Sequence, residues 1–122
     1  VGLFCSTPSV PLSRNVSRKR AFEMLMTGEF INAEKALQWG LLNRVVEPEQ
    51  LNDAVLELAD KIVKKSAVAV ATGKGLFYNQ LEMPLNQAYV LAGETMACNM
   101  MDAAAQEGAR AFAEKRTPEW KR

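Results

Sequence analysis

The sequence predicts a mostly α-helical chain with one or two short strands, and three observations carry this prediction. An apolar stripe recurs at helical spacing through Leu51, Val55, Leu58 and Ile62. Helix-start and helix-stop residues follow one another at short intervals, which indicates roughly six or seven helices packed as neighbours. Only one internal stretch, LLNRVV at residues 41–46, is typical of a strand.

The first third of the chain is predicted to hold three short helices. VGLFC is expected to be the end of a strand or a buried loop, with a turn at STPS and then a helix from Pro11 through LSRNV. Ser17 suits the N-cap of RKRAFEMLM, which we expect to stop at Gly28. Asn32 similarly suits the N-cap of AEKALQWG, with Gly40 as its stop.

The remaining elements are all predicted as helices. EPEQ opens a helix to about Lys65, with acidic residues in its first turn. AVAVATGKGLFYNQLEM alternates locally, but its length and its neighbours favour a helix. Pro84 starts the next helix, and Asp102 or its neighbours open the last one, which we expect to run to about Arg116.

Composition limits the possible functions. The 122 residues carry a formal net charge of +1, which provides no overall field for nucleic acid or an acidic membrane. No histidine is present, so an imidazole base or ligand is excluded, and no close cysteine pair suggests a metal site. Cys5 and Cys98 are expected to be free thiols. No stretch reaches the length of a membrane span.

Two local patterns have competing interpretations. A basic run comprises Arg14, Arg18, Lys19 and Arg20. It indicates either a solvated surface or contact with nucleic acid, and the near-neutral charge of the chain makes the second alternative the less well supported. In the last helix, small residues share a face with Phe112, whose ring is expected to pack there. Lys115 and Arg116 are predicted to project from its C-terminal turn, either as a surface helix end or as a cationic tip that holds a phosphate.

The order of motifs along the chain resembles the crotonase (enoyl-CoA hydratase/isomerase) family. The resemblance is carried by MLMTGEFINAEKALQWGLLNRVV and by the closing EGARAFAEKRTPEW, and it covers essentially the whole chain. It implies that this chain is the C-terminal helical part of an α/β fold built on a spiral of β-β-α units. Residues 1–46 would then be the end of the spiral core and its connecting helices, and residues 47–122 a helical oligomerisation region. Further chain is expected upstream of Val1.

The resemblance also implies a ligand and its contacts. The substrate would be an acyl-CoA thioester, with coenzyme A as part of the substrate and no intrinsic cofactor. Lys115 matches a family lysine that reaches the CoA phosphates, and Phe112 an aromatic position near the adenine or the subunit interface. Met96 occupies a position that is aromatic in some hydratases. The catalytic glutamates and the oxyanion-hole donors would lie upstream, so no residue of this chain is predicted to be catalytic.

The resemblance further implies a homo-oligomer, either a trimer or a dimer of trimers, located in the bacterial cytoplasm or the mitochondrial matrix. Neither nucleic acid nor a membrane span is expected. Three functions stay open. The least supported is a helical module that binds nucleic acid through the basic run. The other two follow from the resemblance. The chain is either part of an active hydratase or isomerase, inactive by itself, or part of a non-catalytic crotonase-like protein. The second is suggested by CSTPSVPLSR, which stands where hydratases usually have a loop with a double glycine.

Overall fold

The structure, a computed structural model, describes residues 2–120 and groups them into two compact units, one ending at Leu51 and one beginning at Asn52. The first unit contains three helices and a final 3-10 turn: α1 (Ser6–Asn15), α2 (Arg18–Thr27), α3 (Ala33–Gln38) and Pro48–Gln50. The second contains four helices, the first of which begins one residue before the boundary: α4 (Leu51–Val63), α5 (Ala67–Leu81), α6 (Leu85–Met100) and α7 (Ala103–Ala113). The predicted helical class is confirmed.

Several helix ends are fixed by the residues that the sequence indicated. The Asn32 carboxamide accepts a hydrogen bond from the Lys35 N–H at 2.8 Å, which caps α3. The Asp102 carboxylate accepts one from the Ala104 N–H at 2.8 Å and caps α7. Gly28 and Gly40 end α2 and α3 with φ values of 67° and 82°, in the left-handed region that glycine adopts at least cost.

The predicted strand over residues 41–46 is wrong, because no strand forms anywhere within residues 2–120. The N–H groups of Leu41 and Leu42 turn back to the Ala36 carbonyl and close α3, at 2.9 and 3.4 Å. The apolar residues that favoured a strand are exposed in this chain. A strand needs a neighbouring edge to satisfy its backbone groups, and the described residues supply none at this position.

The first helix also differs from its prediction. α1 begins at Ser6 rather than at Pro11, so the expected turn at STPS is helical and Pro11 lies inside the helix. The Ser9 N–H donates to the Cys5 carbonyl at 3.1 Å, which starts the helix early. Pro8 falls in the first turn, where its missing N–H leaves no helical bond unmade. The preceding residues 2–5 form no regular structure, and Val1 lies outside the described residues.

The core is small and consists of small side chains. The buried residues are Val16, Ala21, Ala36, Ser66, Ala88 and Ala111. The apolar stripe of α4 is helical as predicted but uncovered, since each of its four side chains is at least 41% exposed. Apolar surface of this extent is typical of a surface that contacts another protein segment or a ligand. None of the helices in the described part of the chain has both the length and the apolar character needed to cross a membrane.

Candidate functional site

The last helix ends in a tight turn with a lysine at its centre. The Lys115 N–H donates to the Phe112 carbonyl at 3.2 Å, and the Arg116 N–H donates to the Ala111 carbonyl at 3.0 Å. These two bonds form the Schellman motif, which ends a helix with one residue in the left-handed conformation. That residue is Lys115, with φ of 53°, and it is the one non-glycine residue with positive φ in the described part of the chain. Glycine normally occupies this position because a Cβ there is strained.

The residue after Lys115 is fastened to the body of α7. The Arg116 guanidinium makes two parallel bonds to the Glu107 carboxylate, with Nη1 to Oε1 at 2.6 Å and Nη2 to Oε2 at 3.1 Å. Its Nε donates to the Glu114 carboxylate at 2.6 Å. A planar guanidinium fits a carboxylate in this two-bond geometry, so the pair fixes orientation as well as distance.

The electrostatics of the pair favour its charged form. Hydrogen bonds from the Arg116 side chain and from the Glu119 N–H lower the pKa of Glu107 from 4.5 to about 2. Hydrogen bonds to the carboxylates of Glu107 and Glu114 raise the pKa of Arg116 above its usual value. Glu107 therefore stays ionised at any pH near neutrality. In this chain its carboxylate accepts hydrogen bonds from Arg116 and from the Glu119 N–H.

The chain beyond the turn folds back over α7. Oε1 of Glu107 accepts a bond from the Glu119 N–H at 3.0 Å, and the Trp120 indole N–H donates to the Lys64 carbonyl just after α4, at 2.9 Å. The Trp120 ring lies over Gly108, where an added Cβ would stand 3.4 Å from its nearest ring atom. We use the name clasp for Glu107, Gly108, Arg116 and Trp120. Their contacts hold the segment after the turn against α7 and against the end of α4.

The structure corrects two expectations about this helix. Phe112 does not pack on the face of small residues, since its ring is 87% exposed; Trp120 covers Gly108 and Ala111 takes the buried position. Arg116 does not project as part of a cationic tip, because it folds back onto Glu107. Lys115 is exposed at the turn, one turn of helix after Phe112, while Met96 lies on α6 and is 66% exposed.

Two concave regions of the second unit lie near these residues but do not include Lys115. A cleft of about 840 Å³ beside the clasp is lined in part by the charged side chains of Glu107, Arg110 and Arg116 and by Trp120. An apolar groove of about 460 Å³ runs between α5 and α6, lined in part by Phe77, Leu85 and Tyr89. None of the three predicted contact residues lines either one. Lys115 and Phe112 are exposed side chains at the end of α7 that line neither region.

The basic run of the first unit is partly engaged within the chain. The Arg20 guanidinium lies over the Trp39 ring at 5.1 Å from its centroid, and the Lys35 ammonium lies at 4.8 Å from the same centroid. Both distances are typical of cation–π contacts. The run is thus divided between the end of α1 and the start of α2, and one of its members packs on an aromatic ring.

Sequence reasoning missed the clasp because its members are not at helical spacings. Arg116 reaches Glu107 across nine residues, and Trp120 reaches Lys64 across 56. The signal was present in the closing stretch EGARAFAEKRTPEW, where a glycine beside an acid precedes an arginine and a tryptophan. Without a fold, that pattern does not say which residues meet.

A sequence profile of the family described as enoyl-CoA hydratase/isomerase matches residues 2–122. The chain belongs to the enoyl-CoA hydratase/isomerase family. This confirms the resemblance carried by the two quoted stretches, and it covers both units of the structure.

Curated relatives agree with this assignment. The mitochondrial enoyl-CoA hydratase domain-containing protein 3 of Rattus norvegicus is 50% identical over 120 residues, which is 98% of this chain and 40% of that protein. The Homo sapiens protein of the same name is 48% identical over the same shares of each chain. Carnitinyl-CoA dehydratase of Proteus mirabilis is 43% identical over 105 residues, 81% of this chain and 40% of that protein.

Solved structures show the same fold. A crystal structure described as enoyl-CoA hydratase from Mycobacterium smegmatis superposes with a TM-score of 0.95 at 60% identity, covering 98% of this chain and 46% of that one. Human enoyl-CoA hydratase domain-containing protein 3 superposes with a TM-score of 0.94 at 47% identity, covering 98% and 47%. The chain therefore has the fold of a part of these proteins, and it spans less than half of their length.

Proposed function

We propose that this chain is the CoA-phosphate-binding, C-terminal part of a protein that acts on acyl-CoA thioesters as a hydratase or isomerase. Family membership over the whole chain supports the substrate class, and so does its 60% identity to a structure described as an enoyl-CoA hydratase. Chemistry of this kind requires donors that stabilise an enolate oxygen and acids that move protons. We propose that these groups lie outside this chain and that the chain by itself has no turnover.

The conformation of Lys115 is the observation that carries the proposed binding role. Glycine would make the same turn without strain, whereas a lysine there costs roughly 1–2 kcal/mol. Left-handed backbone at a non-glycine residue is often retained where the side chain has a function. The side chain at this turn is a cation on a long flexible stem, which suits a phosphate. Its neighbour Arg116 is already paired with Glu107, so Lys115 is the cation that the turn presents.

Calorimetric titration of the intact protein with CoA tests this role. Lys115→Ala is expected to weaken binding by roughly 10- to 100-fold, because a hydrogen bond to a charged group contributes about 1.5–3 kcal/mol. Lys74→Ala, which removes an exposed lysine from α5, is the matched control and should leave the affinity unchanged. Equal affinity of the Lys115→Ala variant and the unaltered protein would refute the role.

We also propose that Phe112 and Met96 contact the adenine side of the ligand or a neighbouring subunit. The exposure of Phe112, one turn of helix before Lys115, supports this, because a ring left uncovered within the chain is available for stacking. Phe112→Leu should weaken the binding of CoA but not that of pantetheine, which has no adenine. A variant that weakens both ligands equally would argue against an adenine contact.

The alternative is a non-catalytic member of the same family that retains CoA binding. The segment CSTPSVPLSR favours it, since this stretch forms the start of α1 from Ser6 onward and has no double glycine. Hydration of crotonyl-CoA by the intact protein distinguishes the two. Turnover supports the enzyme, whereas CoA binding without turnover supports the non-catalytic protein. Turnover by the isolated 122-residue chain would contradict the proposed location of the catalytic groups.

Assembly and location are part of the same proposal. The uncovered apolar faces of α4, α5 and α6 support burial against the rest of a longer chain and against further copies in a homo-oligomer, a trimer or a dimer of trimers. Light scattering on the intact protein checks the number of subunits. We propose the mitochondrial matrix if the source is eukaryotic and the cytoplasm if it is bacterial. The word mitochondrial in the names of several relatives supports the first location.

A further inference from the structure

We propose that Glu107, Arg116 and Trp120 are positioning residues that hold Lys115 in its left-handed turn and thereby aim its ammonium group at the ligand. This inference rests on the proposed CoA-phosphate role of Lys115. It goes beyond that role because it assigns part of the binding affinity to side chains that do not touch the ligand.

Lys115 lies between two fixed points of the backbone. On one side, its N–H group is bonded to Phe112 in the last turn of α7. On the other side, the Arg116 side chain is joined to Glu107 by two parallel bonds, and its N–H is bonded to Ala111, which is 1% exposed. The peptide between Lys115 and Arg116 cannot rotate without breaking one of these contacts.

The segment that follows the turn, residues 117–120, is also held in place. Glu107 accepts the Glu119 N–H, and Trp120 is bonded to Lys64 while its ring lies on Gly108. Residues 117–120 therefore run back along α7 and cannot pull the turn open. A helix end without a positioning role needs no such closure, because capping alone satisfies its carbonyl groups.

The ion pairs at the turn also favour this role. Glu107 and Glu114 both pair with Arg116, so the arginine beside Lys115 is neutralised within the chain. Of the two cations at positions 115 and 116, Lys115 is therefore the one left for a phosphate. Because the pKa of Glu107 is lowered to about 2, the pair stays charged throughout the neutral and mildly acidic range.

A double-mutant cycle on the intact protein tests the inference, with CoA as the titrated ligand. Glu107→Gln removes the charge and one acceptor of the clasp. Arg116→Lys keeps the charge but cannot make both parallel bonds. If Lys115 then occupies its binding position only a third of the time, CoA affinity falls roughly threefold. The loss should not exceed that of Lys115→Ala. In a Lys115→Ala background, Glu107→Gln should cause no further loss.

Pantetheine, which lacks the adenosine phosphates, should bind the clasp variants as it binds the unaltered protein. Glu57→Gln is the matched control, since it breaks an exposed ion pair with Lys61 on α4 and should change no affinity. Thermal denaturation identifies any clasp variant that fails to fold, and Arg116→Lys, the milder change, then serves in its place.

The outcomes separate the two proposals. If Lys115→Ala leaves CoA binding unchanged, the CoA-phosphate role itself fails. If Lys115→Ala weakens binding but Glu107→Gln has no effect, or has the same effect with and without Lys115, the positioning role is refuted and the CoA role stands. Equal loss of CoA and pantetheine binding also refutes positioning, because it indicates general damage to the fold.

Discussion

Replacing Lys115 by glycine and by alanine separates the strain of the turn from the function of the side chain. Both variants lose the ammonium group, but only glycine adopts φ near 53° without a Cβ clash. Relief of the left-handed strain stabilises the glycine variant by roughly 1–2 kcal/mol. The larger entropy of glycine in the unfolded chain offsets about 0.4–1 kcal/mol of this. We therefore expect the Lys115→Gly variant to be about 0.8 kcal/mol more stable than Lys115→Ala.

Thermal denaturation of the intact protein measures this difference, which corresponds to a higher midpoint by roughly 2–3 °C for a domain of 150–250 residues. CoA titration of the same samples should give two equally weakened affinities, because neither variant has the cation. Equal stabilities of the two variants would refute the reasoning that lysine is retained at this position against a cost. A glycine variant that binds CoA as the unaltered protein does would refute the role of the side chain.

Three further predictions concern the clasp and two glycines elsewhere in the chain. Denaturant unfolding should show a stability difference between the unaltered protein and Glu107→Gln that is constant from about pH 5 to 7 and shrinks as the pH falls from 4.5 toward 2. The reason is that a carboxyl group whose pKa is lowered by folding stabilises the protein above its unfolded-state pKa, and this stabilisation is lost when the group is protonated. Trp120→Phe keeps a ring over Gly108 but loses the indole donor to Lys64, so it should cost about 0.5–1.5 kcal/mol in the same assay, and no loss would mean that water replaces the bond. Gly28→Ala should destabilise the protein by roughly 1 kcal/mol, because Gly28 has a φ of 67° that alanine adopts only with strain. Gly75 lies inside α5 with open space around an added Cβ, so Gly75→Ala should stabilise the protein by roughly 0.5–1 kcal/mol. Shifts of the melting temperature in the same direction for both variants would contradict this account.

Local signals in the sequence were enough to predict where the helices lie, but not which other segments pack against them. Caps such as Asn32 and Asp102 act within three residues, so their effect can be read without any knowledge of the fold. Residues 41–46 were misassigned because apolar β-branched content indicates burial and not pairing. Whether such a run becomes a strand depends on a neighbouring edge, which local sequence does not specify.

The candidate site was predicted in part, for a similar reason. Resemblance indicated Lys115, but the partner of Arg116 could not be deduced, because Glu107 becomes its neighbour only after the chain reverses at the turn. Helical periodicity predicted that the Phe112 ring packs on the face of small residues. The small face instead receives Trp120, which returns from beyond the end of the helix. Periodicity identifies a face, whereas the segment that covers it is set by tertiary structure.

The closing stretch contains residues of two kinds, which a motif match alone does not separate. Glu107, Gly108, Arg116 and Trp120 make their contacts within the chain, and none of them is proposed to touch the ligand. Lys115 is different, because the same turn with glycine would be more stable and would leave the clasp unchanged. A member of the family that had lost CoA binding would therefore be free to lose Lys115 while its clasp stayed intact. The strained lysine beside an intact clasp thus supports the proposed ligand binding better than it supports a purely structural role.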